Sequence, residues 1–147
     1  MRVADFKNKT AYGSKMLKMN DETYKLRKKV INIIYDVNKF CNKNNLQKLP
    51  RIEVRIVSDI PKCKEGKYKG SKIIGYAYEG GKVIHIPETT LNFKDNKILF
   101  VVLHEILHSI GFKHKKGCPL MNPFYKDCSE VKMWDTLLKY IIKYSKS

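Results

Sequence analysis

The sequence has no long apolar run. No stretch approaches the ~20 apolar residues of a membrane-spanning helix, and residues 1–6 lack the apolar core of a signal peptide. We therefore expect no membrane span, and we favour an intracellular, cytoplasmic location; a leader removed before residue 1 would leave no trace. Repeats, linkers and low-complexity tracts are also missing, which predicts a single domain over residues 1–147.

Acidic residues are scarce. The chain has 14 Asp and Glu against 30 Lys and Arg, a net charge of +16. Such a charge can attract nucleic acid, an anionic surface or acidic substrates. The alternative is a solvated, lysine-rich surface that reflects biased codon usage, and we favour it because lysine without clustered arginine or stacking aromatics is weak support for phosphate or base readout. With 43% hydrophobic residues, the chain can bury a core.

Hydrophobic periodicity predicts a mixed α/β domain of three helices and three strands. Residues 1–18 precede these elements and are expected to be flexible or propeptide-like. Strands 73–78 and 83–86 are joined through Gly80 and Gly81, a hairpin pattern. The helices are predicted at 21–44, 95–110 and from Ser129 onward, and the remaining strand at 52–56.

The second predicted helix holds two of the residues that could bind a metal ion. Its apolar residues leave almost no polar face, so it should be buried, and Gly111 suits its C-terminus. His104 and His108 lie four residues apart, on one face of that helix. The turn at Gly111 can bring back His114 as a third nitrogen ligand.

A metal explains this cluster better than packing does. A lone buried histidine is more often a core residue bonded to a backbone carbonyl, but three of the four histidines fall between His104 and His114. An apolar helix does not hold imidazoles and a carboxylate without a partner. Three neutral nitrogen ligands leave the fourth position of zinc open, as in catalytic sites. We expect one catalytic zinc ion, with Glu105 as the general base; the alternative for Glu105 is a carboxylate that only orients a ligand.

The pattern His-Glu-x-x-His-x-x-Gly-x-x-His from His104 to His114 resembles the zinc signature of the metzincin metallopeptidases. Cys118-Pro119-Leu120-Met121 falls where that clan has its Met-turn, and the resemblance implies that Met121 forms a hydrophobic floor under the metal. It further implies a single metzincin-like domain with a small twisted sheet, a buried active-site helix, the Met-turn and a C-terminal helix.

Within the clan the chain is most similar to matrixins. Met121-Asn122-Pro123-Phe124-Tyr125 resembles the segment that walls their S1′ pocket, which implies substrate contacts by Pro123, Phe124 and Tyr125 and an apolar residue after the cut. An alternative for Tyr125 is a hydroxyl that reaches the oxyanion. Tyr76 and Ala77 resemble the edge strand on which matrixins bind substrate; the alternative is a plain hairpin strand.

The chain also departs from the matrixin pattern. His85 sits at a structural-zinc position, but the partner ligands are missing, so we expect a strand residue and no second zinc. The loop 61–72 has Glu65 as its only acid, so we expect no calcium. No cysteine before Cys41 offers a cysteine switch, and Asp5 is a weak substitute ligand. Of the four cysteines, Cys118 and Cys128 can form a bridge or remain free thiols, Cys41 should be a buried small residue, and Cys63 has no assigned role.

These observations predict a monomeric, zinc-dependent endopeptidase that binds peptide or protein substrates. One alternative keeps the site and uses the +16 charge, as a peptidase recruited to nucleic acid that cuts DNA-bound or crosslinked proteins. The other is a catalytically silent, zinc-stabilised binding or virion-associated module. Glu105 argues against this last alternative, because a structural zinc site needs no carboxylate there.

Overall fold

The structure is a computed structural model that describes residues 16–59, 74–77 and 80–146. It confirms the mixed α/β class. The helices are α1 (Asp21–Lys43), α2 (Asp95–Ser109) and α3 (Glu130–Ser145), with a 3₁₀ helix at Glu88–Asn92, and the strands are β1 (Glu53–Val57), β2 (Tyr76–Ala77) and β3 (Val83–Pro87). Among the described residues, no helix has the length and apolar character needed to cross a bilayer.

The sheet is small and mixed. Its strand order is β1-β3-β2, with β1 parallel and β2 antiparallel to β3. The described part of the predicted hairpin is confirmed, whereas residues 73, 78 and 79 lie outside the described ranges. Sequence patterns did not predict the parallel pairing of β1 with β3. On the outer side of β1, Met16 forms an antiparallel bridge with Val57, and residues 1–15 are outside the described part.

Helix α1 packs one apolar stripe against the sheet and α2. Asn20 begins the helix in a reciprocal capping box with Thr23, which satisfies two backbone N–H groups. The stripe is buried, and the Arg27 guanidinium donates to the Val54 carbonyl of β1. The buried apolar residues of α1 are Leu26, Val30, Val37 and Cys41.

Helix α2 is the centre of the core, as predicted. Every residue from Ile98 to Ser109 is buried, because β2 and β3 cover one side and α1 and α3 cover others. Burial on all sides explains why the sequence of this helix has almost no polar face. The polar side chains that it does carry are therefore held in the interior.

Helix α3 packs against α2 and also contacts α1. The Ser129 side chain accepts a hydrogen bond from the Lys132 N–H at 3.2 Å, which confirms the predicted N-cap. Leu137 and Ile141 are fully buried, and Trp134 packs on Phe40 of α1 with ring centroids 5.1 Å apart. Helix α3 therefore packs between α1 and the loops that follow α2.

Candidate metal centre

Three imidazole rings meet at the C-terminal end of α2. The Nε2 atom of His104 lies 3.0 Å from the His108 Nε2 atom and 3.3 Å from the His114 Nε2 atom. In the described part of the chain, this is the one group of three or more His, Cys, Asp or Glu residues arranged to hold a metal ion. The structure therefore brings together the three residues that the motif singled out.

Backbone carbonyls fix the protonation of two of these rings. His104 Nδ1 donates to the Leu120 carbonyl at 2.6 Å, and His108 Nδ1 donates to the Phe112 carbonyl at 2.8 Å. Because a carbonyl only accepts, each Nδ1 carries the proton and each Nε2 presents a lone pair to the cluster. This is the arrangement by which metal-ligating histidines are oriented.

The spacing of the nitrogen atoms suits a tetrahedral ion. Zn–N bonds of about 2.0–2.1 Å imply N–N edges of roughly 3.3 Å between two ligands. The two Nε2 distances of 3.0 and 3.3 Å are close to that edge. Lone pairs that face one another at this distance repel, and a cation between them removes the repulsion.

Burial keeps the His104 and His108 rings neutral. It lowers the pKa of His108 to about 4, and it lowers the pKa of His104 well below its usual value, with the neighbouring His108 adding to the effect. A protonated imidazole cannot ligate a metal. At neutral pH both rings are therefore ready to bind one.

Glu105 is fully buried and has no hydrogen-bond partner for either carboxylate oxygen within the described ranges. Burial raises its pKa to about 8, because the charged form is poorly solvated there. The segment before β2 lies against it: a Cβ added to Gly75 would stand 2.8 Å from Glu105 Oε2. The backbone of Gly75 therefore approaches this carboxylate more closely than any larger residue would allow.

The turn after α2 determines the orientation of the His108 ring. Gly111 has φ +110°, the Phe112 N–H donates to the Leu107 carbonyl at 2.9 Å, and the Gly111 N–H donates to the His108 carbonyl at 3.0 Å. These two bonds form a Schellman motif, which ends the helix as predicted. The same turn presents the Phe112 carbonyl to His108 Nδ1.

The β2–β3 turn also holds the end of α2. The Gly80 N–H donates to the His108 carbonyl at 3.0 Å, and the Lys82 N–H donates to the Ser109 carbonyl at 3.2 Å. Carbonyls in the last turn of a helix lack partners within the helix. The hairpin supplies these partners and so ties the sheet to the metal centre.

A compact turn between His114 and Met121 holds His104. The Lys115 N–H donates to the Met121 carbonyl at 2.7 Å, and the Met121 N–H donates to the Cys118 sulfur at 3.3 Å. Met121 is fully buried in the core, one residue after the Leu120 carbonyl that binds His104. We call residues 115–121 the ligand turn.

Asn122 is a residue that sequence analysis did not assign. Its side chain accepts from the Gly117 N–H at 3.1 Å and donates to the Phe124 carbonyl at 2.7 Å. It therefore joins the ligand turn to the following segment. Its amide type at the end of a Gly- and Pro-rich loop was the available signal, because such side chains commonly bond nearby backbone.

Aromatic rings extend from the histidines to the segment after the ligand turn. The Phe100 ring lies 5.6 Å from that of His104 and packs edge-on against Tyr125 at 4.9 Å. The Tyr125 hydroxyl donates to Asp127 at 3.2 Å. Pro123 is half-buried, whereas Phe124 is 52% exposed. Sequence analysis missed Phe100, since one more apolar residue in an apolar helix gives no signal.

Tyr76 and Ala77 form β2, which is an edge strand among the described residues, and both are buried. The Tyr76 ring stacks on His85 with centroids 4.1 Å apart and an interplanar angle of 13°. His85 lies in β3, which confirms it as a strand residue.

Cys41 is buried, and Cys41, Cys118 and Cys128 are free thiols, so no 118–128 bridge forms here. Predictions on Asp5, Cys63 and Glu65 fall outside the described residues.

No protein-family model and no curated protein sequence matches the chain. Among solved structures, the chain is similar to the crystal structure of archaemetzincin from Archaeoglobus fulgidus complexed with malonate. The identity is 20%, the match covers 82% of this chain and 87% of that chain, and the TM-score is 0.41. At this level of similarity, family and activity must be argued from the residues of this chain.

Proposed function

We propose that this protein is a zinc-dependent endopeptidase of metzincin type. One zinc ion would be held by His104, His108 and His114, and Glu105 would be the general base. The observation that carries the proposal is the convergence of the three Nε2 atoms. Two of those rings are already oriented by carbonyls at Nδ1, so the donor set fits a metal.

The donor set favours an open zinc site. Imidazole nitrogens suit zinc, and a set of three leaves one position for water or substrate. The bound ion supplies Lewis acidity, which lowers the pKa of water toward ~7 and polarises the scissile carbonyl. The buried carboxylate of Glu105 supports a catalytic role, since a polar group in that state needs a partner and none of the described residues provides one.

Glu105 would carry one proton through the reaction. Its carboxylate accepts a proton from the attacking water and then delivers it to the nitrogen of the leaving amine, so that the glutamate is unchanged at the end. Burial alone raises the pKa of Glu105 to about 8. A dication on the neighbouring histidines acts in the opposite direction and favours the carboxylate at neutral pH.

The substrate would lie between the edge strand and the segment after the ligand turn. Tyr76 and Ala77 stand at one margin of the sheet, where a peptide can add as a further strand. Pro123, Phe124 and Tyr125 would wall a pocket for an apolar residue after the cut. The exposed ring of Phe124 and the contact between Phe100 and Tyr125 support an apolar wall.

Incubation with casein tests the activity, with cuts mapped by mass spectrometry. The wild type and the Glu88→Gln control, which alters an exposed glutamate, should cut before apolar residues. Glu105→Gln should keep one zinc ion per chain and lose at least about 100-fold in rate. Cutting by Glu105→Gln at the wild-type rate would refute the general-base assignment. A zinc-loaded wild type that cuts nothing would favour the silent binding module.

Metal content tests the ligands separately. His108→Ala should bring zinc per chain close to zero in elemental analysis, whereas His85→Ala, which removes the one histidine outside the cluster, should retain it. His108→Ala should also melt at a lower temperature than the zinc-loaded wild type. Full zinc in the His108 variant would remove that residue from the proposed ligand set.

A further inference from the structure

A groove lies between the ligand turn and α3. Its volume is about 700 Å³, and five lysines but only one acid, Asp135, are among the residues that line it. Lys115 and Lys116 come from the ligand turn, and the other three come from the helix. The five lysines are Lys115, Lys116, Lys132, Lys139 and Lys143, and all are exposed.

The helix presents its lysines as a stripe. Lys132, Lys139 and Lys143, with Thr136 between them, follow the spacing i, i+4, i+7, i+11, which keeps them on one face. At 1.5 Å per residue the stripe is roughly 16 Å long. A row of positive charges of this length matches an extended anion with regularly spaced charges better than it matches a single small anion.

The path of lysines reaches a second cavity of about 280 Å³, which shares Gly117, Cys118, Pro119 and Lys132 with the first. The second cavity adds Lys126 and Asp127, one charge of each sign, so the excess of positive charge lies in the first. Like charges gathered around a concave surface focus positive potential in it. An extended anion that follows this path would offset the mutual repulsion of the lysines.

Two features favour a single nucleic-acid strand over a duplex or an acidic peptide. A cavity of about 700 Å³ is in the range that encloses a drug-sized molecule, so it accommodates a short stretch of one strand and not a duplex. Tyr140 also lines the groove, packs edge-on against Phe112 at 4.8 Å, and has the Lys143 amine 5.8 Å from its ring centre. Aromatic rings beside lysines are how proteins hold unpaired bases.

We propose that this lysine groove binds the phosphate backbone of single-stranded nucleic acid. The proposal rests on the groove alone and is independent of zinc or peptidase activity. Each phosphate neutralised on a single strand contributes about −0.7 to the slope of log affinity against log salt. Binding across the five lysines should therefore give a slope of about −3.5.

Fluorescence anisotropy with a labelled dT12 oligonucleotide tests the proposal on the zinc-loaded protein between 50 and 200 mM salt. The groove variant Lys132→Gln/Lys139→Gln/Lys143→Gln should lose about tenfold or more in affinity, and its salt slope should become shallower by about 2. The control Lys25→Gln/Lys28→Gln/Lys39→Gln removes the same charge from exposed positions of α1 and should change affinity less than about threefold. Lys116→Gln, on the opposite wall, should weaken binding on its own.

Three outcomes would overturn the proposal. One is equal weakening by the two triple variants, which would mean that net charge alone attracts the strand. Another is the absence of binding at 50 mM salt. The third is displacement of dT12 by polyglutamate at matched charge concentration, which would make the occupant an acidic polypeptide.

Discussion

At the residue scale, the candidate metal centre depends on main-chain atoms that lie outside α2, the helix that carries His104 and His108. The carbonyls of Leu120 and Phe112 orient His104 and His108, and the close approach of Gly75 confines Glu105. The side chains of Leu120 and Phe112 have no part in these contacts, and Gly75 can approach Glu105 because it has no side chain. Their roles are therefore set by where the backbone runs.

Gly75→Ala tests the confinement of Glu105. The new Cβ would stand 2.8 Å from Oε2, so the carboxylate must move. We expect full zinc content, a loss of about tenfold or more in kcat/KM on a peptide substrate, and a lower melting temperature. A double-mutant cycle gives the control: in a Glu105→Ala background, Gly75→Ala should lower stability much less. Additive stability losses would argue against contact between the two residues.

The motif made the grouping of the three histidines predictable, because two imidazoles at i and i+4 with a third after a glycine turn is a rare pattern in a short chain. The backbone contacts of Leu120, Phe112 and Gly75 were not predictable. A carbonyl is present at every position, so only the path of the chain distinguishes the one that binds. Phe100 and Asn122 were missed for the related reason that their residue types suit many positions.

At the element scale, the Schellman motif at the end of α2 is both a helix terminus and part of the candidate metal centre. It positions the Phe112 carbonyl at 2.8 Å from His108 Nδ1. A change in this turn should therefore affect metal affinity as well as helix stability.

Gly111→Ala tests that link. A φ of +110° is strained for any residue with a Cβ, which should cost about 1–2 kcal/mol of stability. We expect the helix end to shift and zinc to bind at least several-fold more weakly in a chelator competition. The control Ile141→Val removes a methyl group from a fully buried residue of α3, away from the histidines, and should cost a similar amount, about 0.5–1.5 kcal/mol. Its zinc affinity should change less; identical zinc affinities in the two variants would contradict the link.

The elements themselves were largely predictable. Helices α1, α2 and α3 follow from apolar periodicity, and Ser129 and Gly111 mark their ends. The parallel pairing of β1 with β3 was not predictable. The two strands are separated by 25 residues, between Val57 and Val83, and local sequence patterns do not show which residues of distant strands pair. The 3₁₀ helix after β3 was also missed, since a single short turn has too few residues to show a period.

At the scale of the whole molecule, the site places three imidazoles and a carboxylate in and around the core. Among the described residues the Glu105 carboxylate has no partner, and the Nε2 lone pairs of His104 and His108 face one another, so an ion that binds only the folded chain should stabilise this fold. Zinc is therefore expected to contribute to folding as well as to chemistry.

Removal of zinc by a chelator should lower the melting temperature of the wild type. A free zinc concentration 100 times Kd stabilises by about 2.7 kcal/mol, which corresponds to roughly 5–10 °C for a domain of this size. Differential scanning calorimetry measures the change. His108→Ala should show almost no response to the chelator, and an equal response in both proteins would mean that the ion is bound elsewhere.

Stability should also depend on pH through His85, which lies away from the cluster. Burial, with Arg55 nearby, lowers its pKa to about 4, below the value of an unfolded histidine. Between pH 6.5 and 4 the unfolded chain thus binds more protons, and the free energy of unfolding falls as the pH falls. In urea unfolding, His85→Phe should reduce this slope by up to about 1.4 kcal/mol per pH unit. An unchanged slope would mean that His85 is not held neutral.

The ligand turn belongs to two surfaces at once. On one side its Leu120 carbonyl orients His104, and on the other its Lys115 and Lys116 line the lysine groove. If occupancy of one surface shifts the turn, the two ligands are thermodynamically linked, and the linkage is reciprocal. Whatever factor zinc adds to the affinity for an oligonucleotide, the oligonucleotide must add to the affinity for zinc.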